Sequence, residues 1–321
     1  MTAGAPGGAI GTAPAVPPSR GPFAVPARIR SGWYQRSRQE RLALRLLLPV
    51  FGLVFVAATI PFVLAVVQAL TSDDGRFIGA DNFGRALSND QLFEAIRQTA
   101  IYGSVVLPTE ILLGLGLALL VHRTVKSRVL RAVIYVAAMI PIVIPQVAVG
   151  VVFRLLYIPD YGLINVLLGQ TGNSQILWLS SPPLAIFAVA SVDIWQWTPF
   201  VYLIMFAGLQ TVPPESVEAA QLDGATSWTQ FRHIELFYLR PLLLLVFFFR
   251  LADVLRVFDH VYILTGGGPG TTTQFLSLYL YRIAFRFSDL GQASALAVLV
   301  MAFMIVLYTV ISRFLPADTS S

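Results

Sequence analysis

Six charged side chains interrupt otherwise apolar stretches of this 321-residue chain: Glu110, Asp193, Arg250, Asp253, Arg256 and Asp259. A charge inside a lipid bilayer is costly, so each of these groups needs a partner or contact with water. Arg250, Asp253 and Arg256 follow one another at intervals of three and can pair along one face of a helix. Glu110 has no such neighbour; it could be protonated, pair with Arg154 or Arg250, or face a water-filled cavity. The pattern favours structural pairing of the trio over direct contact with a solute.

One apolar stretch, residues 193–202, reads DIWQWTPFVY and combines aromatic rings with carboxylate and amide groups. Sugar sites use this combination, because a pyranose has apolar C–H faces and a rim of hydroxyl groups. An aromatic belt at the membrane interface, or plain helix packing, would use the same residues and is the favoured interpretation. The candidate lining of a solute path is Gln146, Asp193, Trp195, Gln196, Trp197, Tyr202, Arg250 and Asp253.

Residues for metal, thiol or nucleotide chemistry are missing from the sequence. There is no cysteine, and the spacing of His122, His233 and His260 suits no metal site. The single lysine, Lys126, follows Val125, whereas a phosphate-binding GxxxxGK[ST] loop needs a glycine there. We therefore expect no metal and no cofactor in this chain. If ATP drives its activity, ATP and magnesium are bound by a partner ATPase.

The composition is that of an integral membrane protein, with 56% hydrophobic and 12% charged residues. A helix needs about 20 apolar residues to cross the hydrocarbon core. This criterion predicts an all-α integral membrane protein with about six transmembrane helices, some of them kinked at prolines such as Pro141, Pro145 and Pro199. The predicted spans are residues 42–70, 99–121, 133–157, 184–209, 242–264 and 291–315.

The two ends of the chain flank this predicted membrane domain, residues 42–315. Residues 1–41 are rich in Gly, Ala, Pro and Arg, and we expect a disordered basic tail that anchors the first span instead of binding nucleic acid. Residues 316–321 form a short C-terminal tail. With both termini in the cytoplasm, the inner segments hold fourteen Lys and Arg residues and the outer segments hold five. Because positive residues are enriched in inner loops, this orientation is the predicted one.

A polar island, residues 213–241, lies between the predicted fourth and fifth spans and reads PPESVEAAQLDGATSWTQFRHIELFYLRP. Good helix formers follow a proline pair at its start, and Gly224 then interrupts the helix. Thr226 or Ser227 can cap a second short helix. The expected unit is a helix-turn-helix on the cytoplasmic side, whose small residues let another surface approach. An amphipathic helix resting on lipid headgroups is the alternative.

This island resembles the cytoplasmic EAA loop of the permease subunits of binding-protein-dependent ABC importers. The resemblance lies in the spacing EAA, three residues, Gly and then IxL, with Phe237 where that family usually has proline. It implies a coupling loop whose helices dock into a cleft of a cytoplasmic ATPase. The residues expected to carry this coupling are Glu215, Glu218, Ala219, Ala220, Asp223, Gly224, Ala225, Phe231 and Ile234.

Two further segments are similar to the carbohydrate and glycerol-phosphate branch of these permeases. Residues 258–270 read FDHVYILTGGGPG, and residues 159–169 contain a Gly-x-x-Asn turn at Gly162 and Asn165. Glycines allow a tight turn with exposed backbone groups, and such a loop could contact a docked protein. The candidate contacts with a solute-binding protein are Gly266, Gly267, Gly268 and Pro269.

The resemblance covers residues 42–315 and implies a transport subunit of the bacterial cytoplasmic membrane, not an enzyme. Its expected function is that of the permease of an ATP-driven importer for a sugar or sugar-like solute. The implied partners are a second homologous permease, two copies of a cytoplasmic ATPase, an extracytoplasmic solute-binding protein and membrane lipids. The alternatives are a proton-coupled secondary transporter, for which Glu110 would serve, an intramembrane enzyme and a structural scaffold.

Overall fold

A computed structural model describes residues 38–72, 74–170 and 172–313. Most of the predicted N-terminal tail and the whole C-terminal tail lie outside these ranges. The described residues are helical with no strand, and a lone bridge joins Thr71 to Phe77. The chain divides into two compact units, at Pro61 and Phe62 within the first helix. The all-α prediction is confirmed.

Five helices of the described residues are 20 or more residues long. Their bounds are α1 Arg38–Leu70, α3 Asp90–Thr124, α7 Pro182–Leu209, α10 Leu236–Leu255 and α13 Leu290–Ser312. Shorter helices connect them: α2 Asp81–Leu87, α4 Arg128–Val143, α5 Gln146–Leu156, α6 Leu163–Leu167, α8 Pro214–Leu222, α9 Ser227–Gln230, α11 Asp259–Leu264 and α12 Leu276–Tyr281. Single π-helical turns at Phe231–Glu235 and Arg282–Arg286 precede α10 and follow α12.

Four of the described helices, α1, α3, α7 and α13, are long and apolar enough to cross a membrane, and a bent pair would make a fifth span. The predicted third span, 133–157, is wrong as a single helix, because α4 and α5 meet at an angle of 91°. The break lies at Ile144 and Pro145, where proline removes a backbone donor. The side chain of Gln196 donates to the carbonyl of Ile144 at 2.9 Å and so satisfies an acceptor that the break leaves free.

The predicted fifth span, 242–264, is also wrong as a single helix. The 20-residue helix α10 ends at Leu255, and α11 begins at Asp259. The Nε atom of Arg256 donates to the carbonyl of Ala252 at 3.1 Å and satisfies an acceptor in the last turn of α10. Asp259 therefore lies in the first turn of α11 and not within the long helix.

The core of the second unit is built around α3 and α7, which pack closely along their length. Tyr102 and Val106 of α3 join Val189 and Val192 of α7 in one buried cluster. Close approach depends on Gly114 of α3: a β-carbon there would lie 2.7 Å from the Cγ1 atom of Val201 and 2.9 Å from the nitrogen of Tyr202. The backbones therefore meet where α3 carries no side chain, as in other close-packed membrane helices.

Replacing Gly114 by alanine is expected to lower the free energy of unfolding by about 2 kcal/mol, because the added methyl group overpacks the contact with α7. Gly116→Ala is the matched control on the same helix, since no atom lies within 4 Å of the position that its methyl group would take. Thermal denaturation of the purified chain in detergent measures both. Equal melting temperatures for the two variants would contradict the close packing.

Candidate functional site

Arg250 of α10 forms the centre of a buried charge cluster. Its Nε atom donates to Oε2 of Glu110 at 2.7 Å and its Nη2 atom donates to Oε1 at 3.0 Å. The side chain of Arg250 is 1% exposed, and that of Glu110 is completely buried. This paired geometry is the strongest that an arginine and a carboxylate can form, since two charge-assisted hydrogen bonds fix both groups. The structure therefore gives Glu110 a partner in Arg250, one of the three possibilities left open by the sequence.

Asp193 of α7 binds the same guanidinium group. Its Oδ2 atom accepts from Nη2 of Arg250 at 2.9 Å and from the hydroxyl of Tyr102 at 2.8 Å. Tyr102 and Glu110 both lie on α3. The cluster thus joins α3, α7 and α10 through buried polar contacts, and a buried arginine with several carboxylate partners avoids the cost of an unpaired charge.

Asp253 connects this cluster to water. It accepts from Nη1 of Arg250 at 3.2 Å and from Nη2 of Arg256 at 3.0 Å. The three residues, which follow one another at intervals of three, therefore form ion pairs as predicted. The side chain of Arg256 is 71% exposed. The guanidinium carbon of Arg250 also lies 4.8 Å from the ring centre of Trp197, within cation–π range.

A cavity of about 230 Å³ opens beside the cluster. Its lining residues are Gln146, Asp193, Arg250, Asp253, Arg256 and Val257. Two carboxylates and two guanidinium groups cancel in charge, while the amide, the carboxylates and the guanidinium groups offer both donors and acceptors. This lining can form hydrogen bonds with a solute rich in hydroxyl groups.

The structure brings together four of the eight predicted path residues at this cavity: Gln146, Asp193, Arg250 and Asp253. The other four come from α7 and do not line it. Trp197 packs on Arg250, and Gln196 donates a hydrogen bond to the carbonyl of Ile144 at the break between α4 and α5. Trp195 lies against Phe153, and Tyr202 is buried with its ring 5.7 Å from that of Phe206. Successive residues of a helix point about 100° apart, so consecutive positions cannot all face one cavity.

In the predicted coupling loop a turn joins two helices, as the sequence predicts. α8 ends at Leu222, and Gly224 follows with a φ of +77°, a conformation that other residues rarely adopt. The hydroxyl of Thr226 accepts from the backbone nitrogen of Thr229 at 3.3 Å and caps α9. Leu222 is 90% exposed and Trp228 is 67% exposed, which leaves an apolar surface open in a polar loop.

The coupling residues divide by exposure. On α8 and the turn, Glu215, Glu218, Ala219, Asp223 and Gly224 are exposed, whereas Ala220, Ala225, Phe231 and Ile234 are half-buried. The predicted boundary between the loop, 213–241, and the fifth span, from 242, is corrected. The π-helical turn joins α9 directly to α10, which begins at Leu236 and includes Phe237 and Pro241.

Sequence reasoning missed the contact that holds this loop to α3. Nη2 of Arg123 donates to Oε2 of Glu235 at 2.8 Å and to the carbonyl of Ser227 at 3.2 Å. Glu235 is the unspecified middle residue of the IxL pattern, and Arg123 follows the predicted second span by two positions. The pattern does not require a charge at either place, and 112 positions separate the two residues.

The glycine-rich loop lies beside a second cavity, of about 660 Å³. Gly266 lines it, Gly267 is buried, and Gly268 and Pro269 are half-buried; Gly270 and Thr271 form the exposed tip. Three arginines and no acidic residue occur among its described lining residues: Arg154, Arg282 and Arg286. Arg282 donates to the carbonyl of Gly266 at 2.6 Å, Arg154 donates to that of Ile263 at 3.0 Å, and Arg286 is exposed. The cavity is therefore strongly basic.

The Gly-x-x-Asn turn is a structural anchor. Asn165 is buried, donates to the carbonyls of Pro159 and Ile176 at 3.0 Å each, and accepts from the indole nitrogen of Trp178 at 2.8 Å.

Across the described ranges, no group of three or more His, Cys, Asp or Glu side chains is placed to hold a metal ion.

Comparison with known proteins gives consistent matches. The profile of the family described as "Binding-protein-dependent transport system inner membrane component" matches residues 110–318. The trehalose/maltose transport system permease protein of Thermococcus litoralis is 35% identical over 287 residues, covering 86% of this chain and 95% of that protein. The sulfoquinovosyl glycerol transport system permease protein of Agrobacterium fabrum is 33% identical, covering 81% and 82%.

Among solved structures, a chain of a bacterial ABC transporter involved in the import of the acidic polysaccharide alginate has the same fold. The TM-score is 0.77 at 23% sequence identity, and the match covers 91% of this chain and 100% of that chain.

Removing the central charge is expected to destabilise the protein strongly. Arg250→Gln should lower the free energy of unfolding by about 3–5 kcal/mol, because it leaves two buried carboxylates without their partner. Arg97→Gln, which removes an exposed ion pair with Glu94, should cost less than about 1 kcal/mol. Chemical denaturation in detergent measures both values. A similar loss in the two variants would contradict the central role of Arg250.

Proposed function

This chain belongs to the family of binding-protein-dependent transport system inner membrane components, and we propose that it is the permease subunit of an ATP-driven ABC importer that moves a sugar or sugar-like solute into the cytoplasm. Related chains are named as permeases of ABC transporters and of trehalose/maltose transport systems, which favours this function over proton-coupled transport by a single chain. The family description, a transport system component, favours transport over an intramembrane enzyme.

The observation that carries the proposal is the exposed apolar surface of the loop between α7 and α10. Leu222 and Trp228 would be covered either by a protein partner or by lipid headgroups. The names of the related ABC transporter permeases favour a protein partner. α8 and α9 would dock in a cleft of the ATPase, with Glu215 and Glu218 at the rim. Closure of the ATPase on ATP would then move the loop and, through α10, the membrane helices. ATP and magnesium would be bound by two copies of that partner.

The second half of a pore is supplied in this proposal by a homologous permease. A cavity of about 230 Å³ in one chain is too small to form a complete path for a sugar, so facing surfaces of two permeases would enclose it. The lining at Asp193, Arg250, Asp253 and Arg256 offers hydrogen-bond donors and acceptors to hydroxyl groups, which supports a carbohydrate as the solute. We place both termini and the coupling loop in the cytoplasm, on the distribution of arginines along the sequence.

A solute-binding protein would deliver the sugar at the opposite end, where the glycine-rich loop borders the basic cavity. The family description itself specifies dependence on a binding protein. The cavity contributes three guanidinium groups without a carboxylate among its lining residues, so its complement on a docked protein is an acidic side chain. Contact through the loop would involve Gly266, Gly268 and Pro269, with the buried Gly267 shaping the turn.

Gly224→Val tests the coupling loop. Valine in the left-handed conformation of Gly224 costs about 1–2 kcal/mol and should distort the turn, so ATP-driven uptake should fall at least about tenfold. Gly169→Val is the matched control, because Gly169 has a φ of +65° and equally open surroundings in a different loop. Uptake of radiolabelled sugar into vesicles with the reconstituted complex measures the effect. Full uptake by Gly224→Val would contradict a coupling role for this turn.

Arg286→Gln tests docking of the binding protein. The concentration of binding protein that gives half-maximal ATPase stimulation should rise about fivefold, because one charge-assisted hydrogen bond contributes ~1 kcal/mol or more. The rise should be larger at low salt, where charge attraction is less screened. Arg76→Gln, an exposed arginine outside the cavity, is the control. An unchanged half-maximal concentration for Arg286→Gln would place the docking surface elsewhere.

A further inference from the structure

Two ion pairs connect α3 to the segment that runs from the coupling loop into α10. One joins Arg123, one residue before the end of α3, to Glu235, the last residue of the π-helical turn, at 2.8 Å. The side chain of Glu235 is only 6% exposed and that of Arg123 is 33% exposed. The other pair joins Glu110 to Arg250 in the buried cluster. The coupling loop and the charge cluster are therefore attached to the same helix.

The spacing of the two pairs is matched on both helices. Glu110 and Arg123 are 13 positions apart on α3, and Arg250 of α10 is 15 positions after Glu235, the last residue of the π-helical turn. At 1.5 Å per residue, these separations correspond to about 20 Å and about 22 Å. Leu239 and Val246 of α10 share a buried cluster with Ala118 and Val121 of α3 between the two pairs. The helices are thus packed along this length and fastened near both ends.

The Arg123–Glu235 pair spans the least regular part of the connection between α9 and α10. α9 continues into α10 only through the π-helical turn Phe231–Glu235, a backbone geometry that is rare and less regular than an α-helix. A push on α8 or α9 could be absorbed there. Arg123 bridges this turn, because the same Nη2 atom binds the carbonyl of Ser227 before the turn and the carboxylate of Glu235 at its end.

We propose that Arg123 and Glu235 are positioning residues for energy coupling: their ion pair makes α9, α10 and α3 move as one body, so that displacement of the loop reaches the Glu110–Arg250 cluster. This inference rests on the proposed function. It assigns the pair a role in how much transport each ATP molecule drives, beyond any role in stability.

The experiment compares Arg123→Gln, Glu235→Gln and the exchanged pair Arg123→Glu with Glu235→Arg in the reconstituted complex with its ATPase and binding protein. Uptake and ATP hydrolysis are measured in the same vesicles. The number of ATP molecules hydrolysed per sugar imported should rise at least about fivefold in each single variant, while the complex assembles and hydrolysis continues. The exchanged pair should return this ratio towards that of the unmodified protein.

Arg85→Gln is the matched control, since Arg85 also forms an ion pair between two elements, with Asp289 at 3.1 Å. Its ratio should not change. Unmodified coupling in Arg123→Gln and Glu235→Gln would overturn the inference while leaving the importer function intact. Loss of assembly in the single variants without recovery in the exchanged pair would also overturn it, because the role would then be structural. Absence of ATP-dependent uptake by the unmodified complex would instead refute the proposed function.

Discussion

The arrangement of the helices depends on the need to satisfy one buried guanidinium group. Arg250 is almost inaccessible, and an unpaired arginine in a hydrocarbon environment would cost several kcal/mol. Three nitrogens of Arg250 bind Glu110 of α3, Asp193 of α7 and Asp253 of its own helix. These contacts form only when the three helices have one particular axial position and rotation relative to one another. The cluster therefore constrains the register of α3, α7 and α10, in addition to the close approach of α3 and α7 at Gly114.

The same requirement explains the irregular parts of the fold. A helix that breaks inside an apolar environment exposes backbone acceptors, and each needs a donor. Gln196 supplies one at the break between α4 and α5, and Arg256 supplies one where α10 ends. The amide of Asn165 holds the connection around α6 by binding two carbonyls. The breaks are thus supported by specific side chains, and they bring Gln146, at the start of α5, to the cavity beside Arg250.

Local patterns in the sequence were enough to predict a helical membrane protein, the turn at Gly224 and the pairing of Arg250 with Asp253. Each of these depends on residues close together in the chain. The partner of Glu110 is 140 positions away and that of Arg123 is 112 positions away, so a single sequence contains no periodicity that links them. The predictions of spans 133–157 and 242–264 as single helices were wrong for a related reason. Proline marks a possible kink, but the donor that makes a 91° bend tolerable comes from another helix.

The two charged contacts of α3 lie at different points along this helix and bind different parts of the protein. Near its middle, Glu110 binds the guanidinium group that borders the cavity; near its end, Arg123 binds the segment that follows the exposed loop. Between them, Gly114 lets α7 approach α3 closely. A rigid helix held at three such points can transmit displacement over about 20 Å only if no flexible link intervenes. Because the π-helical turn is the one irregular segment between the loop and α10 in the described chain, the ion pair across it determines whether loop motion reaches the cavity.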